Sequence, residues 1–495
     1  MLLAAAVAVG GSAGCAGPAR FPDGPLAEKS TEAGFVRAYD TDGDDRADFF
    51  ATLGDDGHVT RIGYDTTGSA SEDVSINLDA LRLCDCRHVV LILDGVPLHM
   101  VKRYWDEGGL RMFHAPSLVL APYPSMTDLA LSDLFRSVRC LGYEALYFDH
   151  RANRLAGGDD YYLAMKNESW THDLDYRAGT TLDALGYLYP NWAFGKELED
   201  FDRLLGRRDR RTFIAYFVST AGIGSREGEA GLKRVLERVD RLVYELVWQT
   251  RGLVKVTMLA DHGHTLKRCE RVDFGTFLRE RGWRVTDRLV EPRDVAPVEY
   301  GLVTYASFAT RDRKALAGAL LEHEGVEFVA YAEGDTVVAE GREGRAVIER
   351  RPSRYRCTTS GTDPLGLGPI VARLSAEGRA DADGFVADRA LFEATATHCY
   401  PDACDRLWRA FNGLAEHVPD VVANLHAGHC AGAASKMSWL PYMASTHGDL
   451  GRDSSGTFIM STIAPFPPAL RTREVGAVLE SLTKQPWPPA REGRR

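Results

Sequence analysis

Val89-Val90-Leu91-Ile92-Leu93-Asp94-Gly95 is an unbroken apolar run closed by a carboxylate and a glycine. A run this short and rich in branched side chains reads as a strand buried on both faces. The acid at its carboxyl end then stands where α/β sheets gather their ligands. A second run repeats the pattern: Val254 to Ala260 leads into Asp261-His262-Gly263-His264. Further apolar runs at 143–148 and 212–218 alternate with helical patterns at 127–138 and 229–248. The alternation predicts an α/β fold with a mostly parallel central sheet flanked by helices.

Two more stretches carry chemistry. Thr127 sits in Pro124-Ser125-Met126-Thr127-Asp128, ahead of an Ala- and Leu-rich helical pattern, and His447 sits in Ser445-Thr446-His447-Gly448. Alone, each candidate has a bland reading: Asp94 as a strand-end turn, Thr127 as a helix N-cap, His262 as a satisfied buried imidazole, His447 as a loop residue. Together, hard oxygen and imidazole donors at strand ends, with a hydroxyl at a helix start, suit a divalent metal that activates a threonine nucleophile. His426 and His429 flank Gly428 with no carboxylate near them in sequence, and read as structural. Trp105, Tyr123, Trp170, Tyr187 and Trp192 read as core more readily than as a pocket lining.

The ordered set resembles the alkaline phosphatase superfamily, and within it the type I phosphodiesterase and nucleotide pyrophosphatase branch. The resemblance rests on Leu93-Asp94-Gly95, Pro124-Ser125-Met126-Thr127, Asp261-His262-Gly263 and Thr446-His447-Gly448, and spans roughly residues 87–470. It implies a central sheet and two metal ions, usually Zn2+. One ion would be held by Asp94, Thr127, Asp261 and His262, with Thr127 as the nucleophile. The second site normally draws an Asp and a His from an Asp-x-x-Gly-His-x-x-Gly motif. In the matching stretch Gly224 and Gly228 stand in register, but Ala221 falls at the Asp position and Ser225 at the His position. Of that site's usual ligands only His447 remains, so one tightly bound ion is expected.

Three readings of this departure stay open. The chain is a one-metal enzyme in which another group, with Arg226 the candidate, clamps phosphate or sulfate oxygens in place of the second ion. Alternatively it is a degenerate relative that binds without turnover. In the third reading His264, Asp449 or Glu227 supplies the missing ligands. The resemblance also points to Asn167 as a substrate contact, since relatives commonly use an Asn from the region after the nucleophile.

The rest of the chain is read from composition and pattern. Residues 1–15 resemble a bacterial lipoprotein signal, small and apolar up to Cys15, which would be the lipidated residue. This implies an exported cell-envelope protein held to the membrane by a lipid anchor; a plain Ala/Gly tail is the alternative. Residues 16–34 read as a tether, 35–82 as a small acidic β-rich N-terminal module, 83–290 and 395–483 as the α/β core, 291–394 as an inserted α+β cap, and 484–495 as a disordered tail. In the module, Asp40, Asp42, Asp44 and Asp48 suit either a Ca2+ loop or a plain hairpin turn. Nine cysteines leave eight once Cys15 is set aside, and export predicts disulfides among them without implying their pairing.

The net charge of −11 argues against non-specific nucleic-acid binding. The expected function is hydrolysis of a small phosphoric or sulfuric ester with a divalent metal; a non-catalytic envelope protein is the alternative. The sequence carries no sign of oligomeric state.

Overall fold

Strand Arg87–Leu93 lies inside a six-stranded sheet, between Thr212–Phe217 on one side and Val254–Ala260 on the other. A computed structural model of the protein describes residues 21–31, 34–159, 169–435 and 443–490. Val89 through Leu93 are all 0% exposed, as an unbroken apolar run requires. Alternate side chains enter two different cores. Val89, Leu91 and Leu93 pack with Leu232, Leu236 and Val239 of helix Ser219–Gln249. Val90 and Ile92 pack with Leu131 and Leu134 of helix Thr127–Phe135 and Leu479 of helix Thr472–Thr483. Each such buried side chain contributes about 1.5–3 kcal/mol, so the run is held in register from both faces.

The register positions the chemistry. Both neighbours run parallel to Arg87–Leu93, with Leu93 opposite Ala260 on one side and Phe217 on the other. The next residues, Asp94 and Asp261, therefore leave adjacent strands at the same level. Strand Gly456–Ser461 runs antiparallel to Val254–Ala260, and its first residue, Gly456, lies opposite Leu120 of strand Ser117–Leu120. The loop that enters this antiparallel strand and the loop that leaves Ser117–Leu120 therefore meet at the same end of the sheet. The first carries His447 and the second carries Thr127. Strand Ala469–Arg471 closes the edge, parallel to Ser117–Leu120. The central sheet is thus mixed, because Gly456–Ser461 is antiparallel to both its neighbours.

Several expectations shift. The apolar run at 143–148 does not enter the central sheet; strand Leu146–Asp149 forms a two-stranded hairpin with Arg154–Gly157. The second sheet has nine strands and reaches beyond 291–394, taking in Arg284–Val285 and Val421–Leu425. Val421–Leu425 is central there, antiparallel to Tyr305–Thr310 and Val326–Glu333, with cores on both faces. Within the described part of the stretch read as a tail, Trp487 stacks on Phe135 and donates its indole N–H to the Leu134 carbonyl at 2.9 Å.

The N-terminal module is a five-stranded antiparallel sheet that begins at Ala27, inside the stretch read as a tether. Phe21, Tyr39 and Phe49 pack there with Tyr244 of the long helix. Among the described residues, no helix is long and apolar enough to cross a membrane. Cys15 and Asn167 lie outside the described residues, as does the whole 1–15 segment.

Candidate metal centre

Asp94, Asp261, His262 and Thr127 meet at the carboxyl ends of the central strands. His262 donates from Nδ1 to the Gly263 carbonyl at 2.9 Å, which leaves the Nε2 lone pair facing the cluster. Three oxygens surround that nitrogen: Asp94 Oδ1 and Asp261 Oδ2, each at 3.5 Å, and Thr127 Oγ1 at 3.2 Å. The two carboxylate oxygens are buried and have no hydrogen-bond partner. Their sister oxygens are well served. Asp94 Oδ2 accepts from the Tyr216 hydroxyl at 2.5 Å, and Asp261 Oδ1 accepts from the backbone N–H of Gly95 and of His262 at 3.1 and 2.9 Å.

This pattern is costly without a cation. Burial, then the charge of Asp261, pushes the Asp94 carboxyl well above its ordinary range. Burial likewise raises Asp261, against hydrogen bonds from the backbone N–H of Gly95 and of His262. Asp183, and Glu197 when ionised, add further negative charge around Asp94. Burial pushes the Glu197 carboxyl up to about 8, although it accepts from the backbone N–H of Val218 and Ser219 at the start of the long helix. Among the described residues no Lys or Arg forms an ion pair with Asp94 or Asp261; their basic neighbour is His262. Burial holds that ring neutral, with a pKa near 4.

The donor set fits a small dication. Ligand atoms about 2.0–2.1 Å from a tetrahedral ion are about 3.3 Å apart, close to the 3.2–3.5 Å around Nε2. Donor atoms of Asp94, Asp261 and His262 all lie within 4.8 Å of one another. Thr127 begins its helix, so its hydroxyl sits at the positive end of the helix dipole.

His447 belongs to the same cluster. Its ring stacks on His262, with centroids 3.8 Å apart, and its Nδ1 donates to the Ser125 carbonyl at 2.8 Å. Loop 261–266 is laced to loop 445–454 by Gly263 N–H to Ser454 O, Thr265 N–H to Thr446 O, and Leu266 N–H to Ser445 Oγ. Buried Arg406 braces the loop ahead of Thr127, donating to the Pro122 carbonyl and to Ser125 Oγ.

Ala221 and Ser225 are buried at the start of the long helix and bring neither acid nor imidazole. Of the residues considered to fill that gap, His264 is near: its Nε2 is buried without a partner, beside Gly95. Asp449 is engaged elsewhere, accepting from Thr304 Oγ1 and the Gly451 N–H. Glu227 is held by Asn191 and Arg234. Arg226 is half-buried on the long helix, next to Ser225. In the N-terminal loop, Asp40, Asp42 and Asp44 converge, but Asp48 turns away to bind the Thr41 N–H and hydroxyl. Tyr216, Arg406, Asp183 and Glu197 were not signalled by the sequence; each is a polar residue inside a regular element, without a local motif.

No family model matches the sequence, and no curated protein matches it. Solved structures do resemble the fold distantly. Mouse ectonucleotide pyrophosphatase/phosphodiesterase 5 is 11% identical, over 82% of this chain and 97% of that one, with a TM-score of 0.43. Its human counterpart is 9% identical over 80% and 95%, with a TM-score of 0.44. Phosphonoacetate hydrolase from Sinorhizobium meliloti, in complex with phosphonoformate, is 13% identical over 81% and 96%, with a TM-score of 0.41. Likenesses at this level assign neither a family nor an activity.

Proposed function

We propose that the chain is a metal-dependent hydrolase of phosphoric or sulfuric esters, of the alkaline phosphatase superfamily and its type I phosphodiesterase-like branch. The observation that carries this reading is the pair of buried, unpartnered oxygens, Asp94 Oδ1 and Asp261 Oδ2, both aimed at His262 Nε2. Asp94, Thr127, Asp261 and His262 would hold one divalent ion of the zinc class, with His447 packed beside them. When bound, the ion supplies positive charge that offsets the carboxylates and lowers the proton affinity of the threonine hydroxyl.

The chain's own residues do the rest. Thr127 Oγ1 attacks the central phosphorus or sulfur, forming one O–P or O–S bond as the ester bond to the leaving alcohol breaks. Water then cleaves the threonine ester. His262 fixes the direction of the hydroxyl through its contact with Thr127 Oγ1 at 3.2 Å. The helix start at Thr127 favours the negative charge that gathers there. Arg226 and Asn167 are proposed to contact the oxygens of a small substrate. The protein is proposed to work in the cell envelope, anchored through a lipid at Cys15, and Asp40, Asp42 and Asp44 to take Ca2+.

The test is turnover of an aryl phosphate, an aryl phosphodiester and an aryl sulfate by protein stripped with a chelator and reloaded with Zn2+. Reloading should restore activity toward at least one ester, and Asp261→Ala should not respond.

A second reading is favoured by Ala221 and Ser225, which leave the neighbouring position without an acid or an imidazole: a scaffold that binds but does not turn over. In that case reloaded wild type is silent on all three esters, and Ala221→Asp with Ser225→His gains activity.

A further inference from the structure

A separate set of metal-binding donors lies where the N-terminal module meets the core. Asp56 and His58 stand in the turn between strands Phe49–Leu53 and Val59–Tyr64, and Asp79 follows strand Val74–Asn77. His114 comes from the core, in the loop between helix Leu98–Asp106 and strand Ser117–Leu120. Donor atoms of Asp56, His58 and His114 all lie within 4.8 Å of one another. Asp56 Oδ1 is 2.6 Å from His58 Nδ1, and Asp56 Oδ2 is 3.5 Å from His114 Nδ1. The two imidazole rings lie close and tilted by 35°, with centroids 3.8 Å apart.

One atom in this cluster points to a ligand. His58 is only 6% exposed, and its Nε2 is buried without a hydrogen-bond partner. It faces Asp79 Oδ1 at 3.8 Å, too far for a hydrogen bond. That gap is near the span of about 3.3 Å that ligand atoms keep around a tetrahedral ion. The Asp56 carboxylate orients His58 through Nδ1, the arrangement in which a carboxylate fixes a metal-binding imidazole and frees its Nε2. The two rings lie beside two carboxylates, Asp56 and Asp79, whose charge a dication would offset. Two imidazole nitrogens and a carboxylate oxygen suit zinc-class ions better than Ca2+ or Mg2+.

We propose that His58, His114 and Asp79, with Asp56 bracing the two imidazoles from their Nδ1 side, form a second site for a divalent transition metal of the zinc class. Two ligands belong to the N-terminal module and one to the core, so the ion clips the two together. It reinforces contacts already in place, such as Val59 N–H to the Arg111 carbonyl at 2.7 Å and Arg37 Nη1 to the Gly108 carbonyl at 2.9 Å. The site shares no residue with the Asp94–Asp261 cluster, so each stands or falls alone.

The experiment uses the full chain, loaded with Zn2+, dialysed, and assayed for metal per chain. His58→Ala and His114→Ala should each bind one equivalent fewer than wild type, and Zn2+ should raise the Tm of wild type more than that of either variant. Asp261→Ala should lose the other equivalent and keep this one. Equal metal content in wild type, His58→Ala and His114→Ala would overturn the proposal. Should the alanine variants fail to fold, Co2+ added to Asp261→Ala protein gives an independent answer. A strong visible absorption of a tetrahedral nitrogen–oxygen site supports the proposal, and a colourless titration overturns it.

Discussion

Asp94 and Tyr216 show how a single contact tunes the centre. The Tyr216 hydroxyl donates to Asp94 Oδ2 at 2.5 Å and leaves Oδ1 facing the cluster. Tyr216→Phe strips the second oxygen of its partner. We expect a stability loss of about 1–3 kcal/mol in the metal-free protein, and metal affinity lower by about 10–100-fold. Denaturant titration and competition with a chromogenic chelator measure the two effects; unchanged metal affinity would mean that Tyr216 does not support the site. A second expectation concerns pH. His88 lies within strand Arg87–Leu93, with Nε2 2.8 Å from Thr257 Oγ1, and burial lowers its pKa from 6.5 to about 4. Between those values the unfolded chain takes up a proton that the folded chain refuses, so stability falls as pH drops from 6.5 towards 4. The loss attributable to this group is about 3 kcal/mol at most. His88→Gln should therefore show a shallower fall between pH 7 and 4.5 in urea denaturation; an unchanged slope would contradict this.

At the scale of elements, the turn after strand Arg87–Leu93 is a demanding position. Gly95 has φ 69°, and a Cβ there would lie 2.5 Å from His264 Nε2. Gly95→Ala should cost about 1–2 kcal/mol from backbone strain alone, with the displaced His264 adding to it. The expected result is a lower Tm together with weaker metal binding, since Gly95 N–H also holds Asp261 Oδ1. A variant with wild-type Tm and metal content would show that the turn tolerates a side chain. The same turn explains what the sequence made legible. Continuous apolar runs mark strands buried on both faces, so Asp94 and Asp261 could be placed at strand ends from local pattern alone. The run at 143–148 and Val421–Leu425 carry the same signal, yet one forms a hairpin and the other crosses the second sheet. Which sheet a strand joins is set by distant partners, and no local period records it. Tyr216 and Arg406 escaped notice for a related reason: one sits in a strand and one in a helix, and only folding shows what they touch.

Over the whole molecule, separate stretches of chain reach one end of the central sheet, and their order was readable because each carries its own short motif. That Ala221 and Ser225 carry neither acid nor imidazole is plain from the sequence, whereas the stacking of His447 on His262 is not. The thiols that meet are also long-range: Cys269 lies against Cys430 and Cys357 against Cys404. In an oxidising envelope these pairs are the expected disulfides, and peptide mapping of exported, non-reduced protein should recover both links. Recovery of Cys84 with Cys86, or Cys399 with Cys404, in their place would contradict the arrangement.

The proposed attack by Thr127 is tested most directly by turnover of the ester panel by Zn2+-loaded wild type and Thr127→Ala, with folding checked by circular dichroism. Wild type should hydrolyse at least one ester and Thr127→Ala should run at background, since the substitution removes the attacking oxygen and little else. Turnover that survives Thr127→Ala undiminished would contradict it.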